Sequence, residues 1–535
     1  MASKQFEFRQ YAENLLKAEQ SQVKVDEGSL IRIALVYPNR YDVGISNLGF
    51  QEAYRLFNDA EDISCERMFV YDPPYEHTTR SLETQRDLRD FDIIAFSISF
   101  ELDYPRLVQI LNAAKIPPIA SDRNQTDPLV IAGGVTTFLN PTPLAPIIDV
   151  FLIGEAEAII PEFCRVIEKH IETGLHRADC LRELNDLKWC YLPQVTSPEK
   201  TVQRRSVSDL DAHPTCSSII TPHSHFQNMF CIEVGRGCGR GCRYCAAGHV
   251  YRPIRFRSPE ILLSTIRNNP FQTKKVGLIG AALSDYPELD TVCESLVNEG
   301  YELGLSSFRI DIITPRFLSY LEKANIRSIT LAPETGSQRL RKLIKKNLSD
   351  EQIFETIELL AASNISTIKL YFMIGLPSET ARDVESIVEL VKKIAQIFGS
   401  RLEGFEINVS VNAFIPKPFT PFQWHPMETE TNLRKKRRYL TSQLHKIKGV
   451  SISSKSTRSE VLQGIFSSGG PEIGRAIVKK LSSKFNWKKI LRESKIDITE
   501  IIYRKKTFDD RLPWDFIAGG VKKESLWREW QQEDL

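Results

Sequence analysis

The sequence predicts an α/β protein built from two successive strand–helix regions: a parallel sheet, then a partial (β/α)6 barrel, followed by a basic C-terminal region. Three observations predict it. Short apolar runs alternate with helical patterns across residues 30–165, the alternation resumes at 228 for six further units, and the last hundred residues turn basic. Strands that alternate with helices give parallel sheets covered on both faces. At 535 residues the chain is also too long for one ordinary core.

Residues 1–29, beginning "MASKQFEFRQYAENLLKAEQ", read as a polar helical arm without the apolar core of a signal peptide. Residues 30–165 form the first α/β domain. Its strands are expected at 31–38, 65–71, 91–99, 128–134 and within 149–163, with helices over 44–58 and 104–114. Glycines and polar residues follow the strands, where open α/β sheets bind ligands. Neither GxGxxG nor GxxxxGK[ST] occurs, which removes support for the usual dinucleotide and nucleoside-triphosphate readings. Residues 166–225 read as a connector. In 226–430, strands are expected at 229–235, 275–280, 302–307, 328–333, 367–375 and 404–412, with helices between them such as 383–398. The chemistry of such a barrel sits at the C-terminal ends of its strands.

Composition narrows the class. Hydrophobic residues at 42% and charged residues at 26% are globular values, and no run of about 18 apolar residues suggests a membrane helix. A cytoplasmic, reduced protein with no membrane partner is expected, so its cysteines should be ligands or buried thiols. The net charge of +2 is unevenly placed: residues 431–535 hold 24 Lys and Arg against 12 Asp and Glu. That excess suits either an anionic partner or a solvated helical face. In "LRKKRRYLTSQLHKIK" (433–448), Tyr439 is available to stack on a base, although no recognisable RNA-binding module is present.

The sharpest signal is "GRGCGRGCRYCAAGHVYRP" (235–253), which gathers three of ten cysteines, Cys238, Cys242 and Cys245, in a Gly-rich loop after the first barrel strand. Cys164, Cys180, Cys190 and Cys293 read as buried structural thiols. Zinc would need a fourth ligand, from His249 or Cys231. A [4Fe–4S] cluster on three cysteines leaves one iron open, as a catalytic cluster requires. The position on the catalytic rim favours iron. Arg236, Arg240 and Arg243 would be either solvated or counter-ions.

This CxxxCxxC, with Tyr244 before its last cysteine, resembles the signature of radical S-adenosylmethionine (SAM) enzymes. Four further segments are similar to the family in order. "GLIGAALSDYP" resembles the Gly-rich stretch that meets the methionyl amino group, implying Gly280, Ala281 and Ala282. "SSFRID" puts forward Ser307 and Arg309 for the ribose and carboxylate. "LAPETGSQRLRKLIKK" offers Glu334 and Arg339, and "FMIGLPSET" resembles the adenine segment around Ile374 and Gly375. The resemblance implies a [4Fe–4S] cluster, SAM, a 5′-deoxyadenosyl radical and a low-potential electron donor such as flavodoxin or ferredoxin. As alternatives, Gly280, Gly336 and Gly375 could be plain turn residues, and Glu334 and Arg339 could pair only with each other.

The order of domains resembles the cobalamin-binding subgroup, whose closing Gly-Gly and Gly-Glu segments are similar to "VIAGGVTTFLNPTPLAPIIDVFLIGEAEAIIPEF". "YPNRYDVGISNLGFQEAY", "FIPKPFTPFQW" and "LPWDFIAGGVKKESLWREW" resemble an uncharacterised fused radical SAM family. Cobalamin is thereby implied as a further cofactor, for methyl transfer to an unactivated carbon. No DxHxxG supplies a cobalt-ligating histidine, and Asp211 and His213 come nearest. The alternative is a Rossmann-like scaffold with an empty crevice. Phe422 and Trp424 could line a substrate pocket or pack in the core. An RNA substrate and a non-catalytic iron–sulfur scaffold or sensor are the other functional readings. The substrate itself has no signature.

Overall fold

The first sheet is built from β1 (Ile31–Arg40), β2 (Ile63–Val70), β3 (Ile93–Ser97), β4 (Leu129–Gly133), β5 (Val150–Leu152) and β6 (Cys190–Tyr191). In this computed structural model, which describes residues 2–26, 28–171, 177–197, 200–305, 309–323, 326–401 and 404–532, they lie in the order β2-β1-β3-β4-β5-β6. All pairs are parallel except β5–β6. The central strands are buried almost throughout, β1 from Ile33 to Tyr37 and β4 from Leu129 to Ala132, as a sheet covered on both faces demands. The helices α1 (Ala2–Ala18), α2 (Leu48–Asn58), α3 (Tyr104–Ala113), α4 (Ala156–Ile171) and α5 (Arg177–Asp186) accompany it. Asn47 starts α2 by accepting a hydrogen bond from the Phe50 amide. Part of the expected connector therefore belongs to this sheet: α4 runs on to 171, and β6 adds an antiparallel edge.

The second region holds β7 (Phe230–Arg236), β8 (Lys275–Gly280), β9 (Glu302–Leu305), β10 (Ser328–Glu334), β11 (Thr367–Ile374), β12 (Glu406–Ala413) and β13 (Val450–Ser454). Helices α6 (Pro259–Arg267), α7 (Leu289–Asn298), α8 (Pro315–Lys323), α9 (Asp350–Ala361), α10 (Ala381–Arg401) and α11 (Glu430–Leu444) follow successive strands. The strands form two parallel half-barrels, β7-β8-β9 and β10-β11-β12-β13. Among the described residues no ladder joins β9 to β10, so the expected partial barrel appears as two open halves. The basic region contributes a seventh strand, because β13 pairs in parallel with β12.

Three further C-terminal helices are α12 (Thr457–Ser468), α13 (Pro471–Leu481) and α14 (Lys523–Gln531), of which α12 and α13 lie against the first domain. Asn140 donates to the carbonyls of Ser467 and Gly469 at 3.0 and 2.9 Å. Glu101 accepts from Gln463 at 3.1 Å and pairs with Lys417. Among the described residues no helix is long and apolar enough to cross a membrane.

One close approach fixes the second half-barrel. A Cβ on Gly336, in the turn after β10, would lie 2.2 Å from the Ile387 nitrogen and 2.3 Å from the Ser386 carbonyl carbon on α10. Both are backbone atoms, so neither can rotate away. Gly336→Ala is expected to lower unfolding free energy by about 1–3 kcal/mol, the usual cost of overpacking, measured by urea denaturation. An unchanged midpoint would show that this turn is free to move.

Candidate site at the domain junction

The cysteine loop begins where β7 ends. Gly237 adopts φ +93°, and an added Cβ there would sit 2.4 Å from the Tyr251 carbonyl oxygen, so only glycine turns the chain at this point. The loop then folds over itself. The Cys245 amide donates to the Cys242 carbonyl at 3.1 Å, the Gly248 amide to the Cys245 carbonyl at 3.3 Å, and the Arg243 amide to the Ile344 carbonyl at 3.2 Å. Cys242 is buried; Cys238 and Cys245 are half-buried. Burial pushes the Cys242 thiol up to about 11, Lys346 opposes it, and Cys245 and Cys238 push the same way. Burial likewise raises Cys245, with Cys238 adding to it. Such thiols keep their protons near neutrality until a metal displaces them.

Among the described residues no three His, Cys, Asp or Glu side chains converge as around a single metal ion. Of the two candidate fourth zinc ligands, only His249 lies at the loop. Cys231 lies near the start of β7, roughly 20 Å from the loop at about 3.3 Å per residue, and is buried against Gly277. His249 lies beneath the loop with Nε2 3.1 Å from the Cys242 carbonyl. Burial holds it neutral, down to about 4, and its buried Nδ1 has no hydrogen-bond partner.

The other sequence-predicted residues distribute unevenly around this rim. Tyr244 donates to Glu334 Oε1 at 2.7 Å, and Lys346 reaches the same oxygen at 3.2 Å. Glu334 closes β10 with φ +70°, a conformation uncommon outside glycine and frequent at functional sites. Arg339 is not its partner: it pairs with Asp383 at 2.6 Å and with the Ser378 carbonyl at 3.0 Å. Gly280 and Ala281 face the loop's entrance, where they line a cavity with Gly235, Arg236 and Gly237, whereas Ala282 is buried. Arg309 pairs with Asp311 at 2.7 Å; Ser307 lies outside the described residues. Ile374 is fully buried, and the Gly375 amide donates to Glu379 at 2.7 Å. Phe422 and Trp424 are fully buried in two apolar clusters.

That cavity, of about 450 Å³, spans the junction. Its walls come from the C-terminal ends of the first sheet, including Ser97, Gly133, Gly134 and Gly154, and from the ends of β7 and β8. The order β2-β1-β3-β4-β5 places its switch point between β1 and β3, where open α/β sheets receive ligands. A Cβ on Gly133 would meet nothing within 4 Å, so this wall leaves room for an occupant. His213 is exposed and Asp211 accepts from the Ser258 amide at 2.9 Å, ahead of α6. No histidine is among the cavity's described lining residues.

Sequence reasoning did not find the ion-pair network across the junction. Arg236 meets Glu155 at 2.9 Å, Glu157 at 2.7 Å and Glu233 at 2.8 Å. Arg255 joins Glu155 at 2.7 Å and Arg257 joins Glu233 at 2.9 Å. "GEAE" at 154–157 was the available signal, but its partners lie about 80 residues away. Arg240 and Arg243 are also paired, with Asp285 and Glu529, so none of the three loop arginines is simply solvated.

Two family models match this chain: "Radical SAM proteins, N-terminal" over residues 49–193 and "Radical SAM superfamily" over residues 232–391. The second covers the cysteine loop and the ends of β7–β11. This is a radical SAM protein. An uncharacterized protein of Methanocaldococcus jannaschii is 28% identical over 448 residues, covering 83% of this chain and 90% of that one. A tRNA-2-methylthio-N(6)-dimethylallyladenosine synthase of Buchnera aphidicola is 24% identical over 44% of this chain and 55% of its own. Among solved structures, a radical S-adenosylmethionine methyltransferase from Kitasatospora setae with cobalamin and [4Fe-4S] cluster bound aligns at TM-score 0.47 and 12% identity, over 73% of this chain and 76% of that one. Radical SAM proteins use a [4Fe–4S] cluster and SAM, and the match to that family spans the three-cysteine loop.

The junction network makes a pH prediction. Burial disfavours ionised Glu157, but hydrogen bonds from Arg236 and Thr215 outweigh it and hold the carboxyl down to about 2, against 4.5 ordinarily. A depressed carboxyl stabilises the fold above its unfolded value, and that contribution is lost as pH falls from 4.5 toward 2. Glu157→Gln is expected to cost about 2–4 kcal/mol at pH 7, with the difference from wild type shrinking across that window in urea titrations. A pH-independent difference would show that Glu157 is not held ionised.

Proposed function

We propose that Cys238, Cys242 and Cys245 hold the [4Fe–4S] cluster, that SAM binds on the adjoining rim, and that a corrinoid in the junction cavity serves methyl transfer to an unactivated carbon. The observation that supports it most is the cavity itself, which connects the ligand edge of the first sheet with the end of the cluster-bearing strand. When bound, the reduced cluster and SAM supply a 5′-deoxyadenosyl radical, and cobalamin supplies a methyl group.

The chain's own residues would do the positioning. The three thiols would hold the cluster as thiolates, their protons released to solvent, with Cys242 on the buried side of the loop. Tyr244, Glu334 and Lys346 place a polar, hydrogen-bonded group beside the third cysteine, suited to the amino and carboxylate groups of SAM. Gly280 and Ala281 offer backbone at close range. Gly133 and the apolar wall of Leu35, Phe96, Val135 and Ile159 suit a flat macrocycle, with no protein histidine beneath it.

Anaerobic preparations should contain iron and sulfide, give a reduced-cluster EPR signal that changes with SAM, and form 5′-deoxyadenosine with dithionite. Cys242→Ala should abolish all three while the far-UV circular dichroism is unchanged. Zinc in place of iron, or a signal indifferent to SAM, would sink the reading. Gly133→Ala should fold normally yet bind hydroxocobalamin about tenfold more weakly, as its methyl enters the cavity. Equal binding by both proteins would remove cobalamin from this wall.

A second reading, an RNA substrate, rests on one feature of α11. Arg434, Arg437, Arg438, Thr441 and Ser442 line a hollow with Thr457, and Tyr439 beside it is 38% exposed. tRNA binding that falls steeply with salt would support it; no binding at low salt would remove it.

A further inference from the structure

We propose that the C-terminal helix α14, through Glu529, clamps the Cys238–Cys245 loop and sets how readily a cluster held there is reduced. The inference rests on the assignment of a cluster to this loop, and its evidence lies in a closed ring of contacts. Arg243, between the second and third cysteines, donates to Glu529 Oε1 at 2.8 Å and to the Leu343 carbonyl at 2.8 Å. The other carboxylate oxygen of Glu529 takes the Lys345 ammonium at 2.7 Å. The Lys345 carbonyl, in turn, lies 3.7 Å from the Cys242 sulfur, which places Lys345 against the loop whether or not that sulfur carries a proton. One carboxylate from a helix 286 residues away in sequence therefore pairs with both of these cations and offsets one of their two charges.

The helix is held firmly enough to act as a fixed charge. Trp527 and Trp530 stack at 4.5 Å, and Trp424 meets Trp527 edge-on at 5.0 Å. Trp530 also packs into the apolar cluster of Leu340, Ile344, Leu376, Phe414 and Phe422, alongside Tyr244. The Phe422 amide donates to the Arg243 carbonyl at 3.1 Å, so the same residue that supports Trp530 supports the loop. The other two loop arginines find their carboxylates elsewhere, in the junction network and at Asp285. Arg243 alone depends on the C-terminus.

A carboxylate near the loop opposes the added electron of a reduced cluster, and a cation favours it. Glu529→Gln leaves Arg243 and Lys345 uncompensated and should raise the reduced-to-oxidised ratio at a fixed potential about fourfold, the order expected for one unit charge acting through partly solvated protein. Lys345→Gln should lower that ratio by a similar factor. The measurement is a dithionite titration of the full-length protein followed by EPR, with iron content determined for each preparation. Opposite shifts are the signature of charge, since a merely structural role would not give the two variants opposite signs. Lys345 is 41% exposed, so its variant should fold even where Glu529→Gln does not. A wild-type cluster whose titration is unmoved in either variant, or moved the same way in both, overturns the inference alone. A wild-type protein that takes up no iron overturns it together with the cluster assignment.

Discussion

The position of the cysteine loop depends on Arg236. It is the last residue of β7, two positions before Cys238, and its guanidinium is shared among Glu155 and Glu157 of the first domain and Glu233 of its own strand. With Arg255 and Arg257 the network holds three cations and three carboxylates, so the junction is neutral although every member is largely removed from water. Burying such groups costs several kcal/mol per ion, repaid only by near-complete pairing and hydrogen bonding. Thr215 and the Val207 amide supply bonds of that kind, to Glu157 and Glu155. The orientation of one domain on the other is thereby specified by geometry rather than by apolar area alone. The cavity exists because this network holds the two strand ends apart and in register.

Around the cysteines the same principle gives a different charge balance from the one the letters suggest. "GRGCGRGCRYC" looks cationic, yet Arg236, Arg240 and Arg243 are matched by carboxylates from three separate segments. Lys346 is matched by Glu334, itself bonded to Tyr244. A group bound here would meet directed hydrogen-bond donors on a nearly neutral background. That arrangement discriminates by shape and position more than by long-range attraction.

Local pattern made the strands legible. Each apolar run placed between 31 and 134, and each from 229 to 412, coincides with a strand to within a few residues where the chain is described, because continuous apolar runs in the first sheet, alternating burial in the later strands and strand–helix alternation throughout are written into neighbouring residues. The loop glycines and cysteines were legible for the same reason. What escaped were pairings over long separations: β13 completing the second half-barrel, Arg339 choosing Asp383 over Glu334, and Glu529 reaching Arg243. Nothing near Arg339 in sequence reveals that α10 brings Asp383 beside it. Phe422 and Trp424 were open between pocket and core, and the fold resolves them as core, since the C-terminal helices cover them.

The basic C-terminal region is the clearest case of composition acquiring meaning only in three dimensions. Part of its positive charge is paired. Arg437 is anchored to Glu460 at 2.6 Å, Lys436 to Glu379 and Glu428 at 2.7 and 3.0 Å, and Arg504 to Asp510 at 2.8 Å. Of these pairs, Lys436 with Glu379 ties α11 to the turn after β11, the others knit the region to itself or to the segment just before it, and β13 covers the edge of β12, which would otherwise be an open strand. The same region carries α13, whose Gly474 lies so close to the Pro143 carbonyl that a Cβ would sit 2.4 Å from it, against the first domain. A segment that reads as an appended basic tail thus closes the edge of one sheet and braces the other. Removing it would expose the edge of β12 and take away the contacts of α12 and α13 with the first domain.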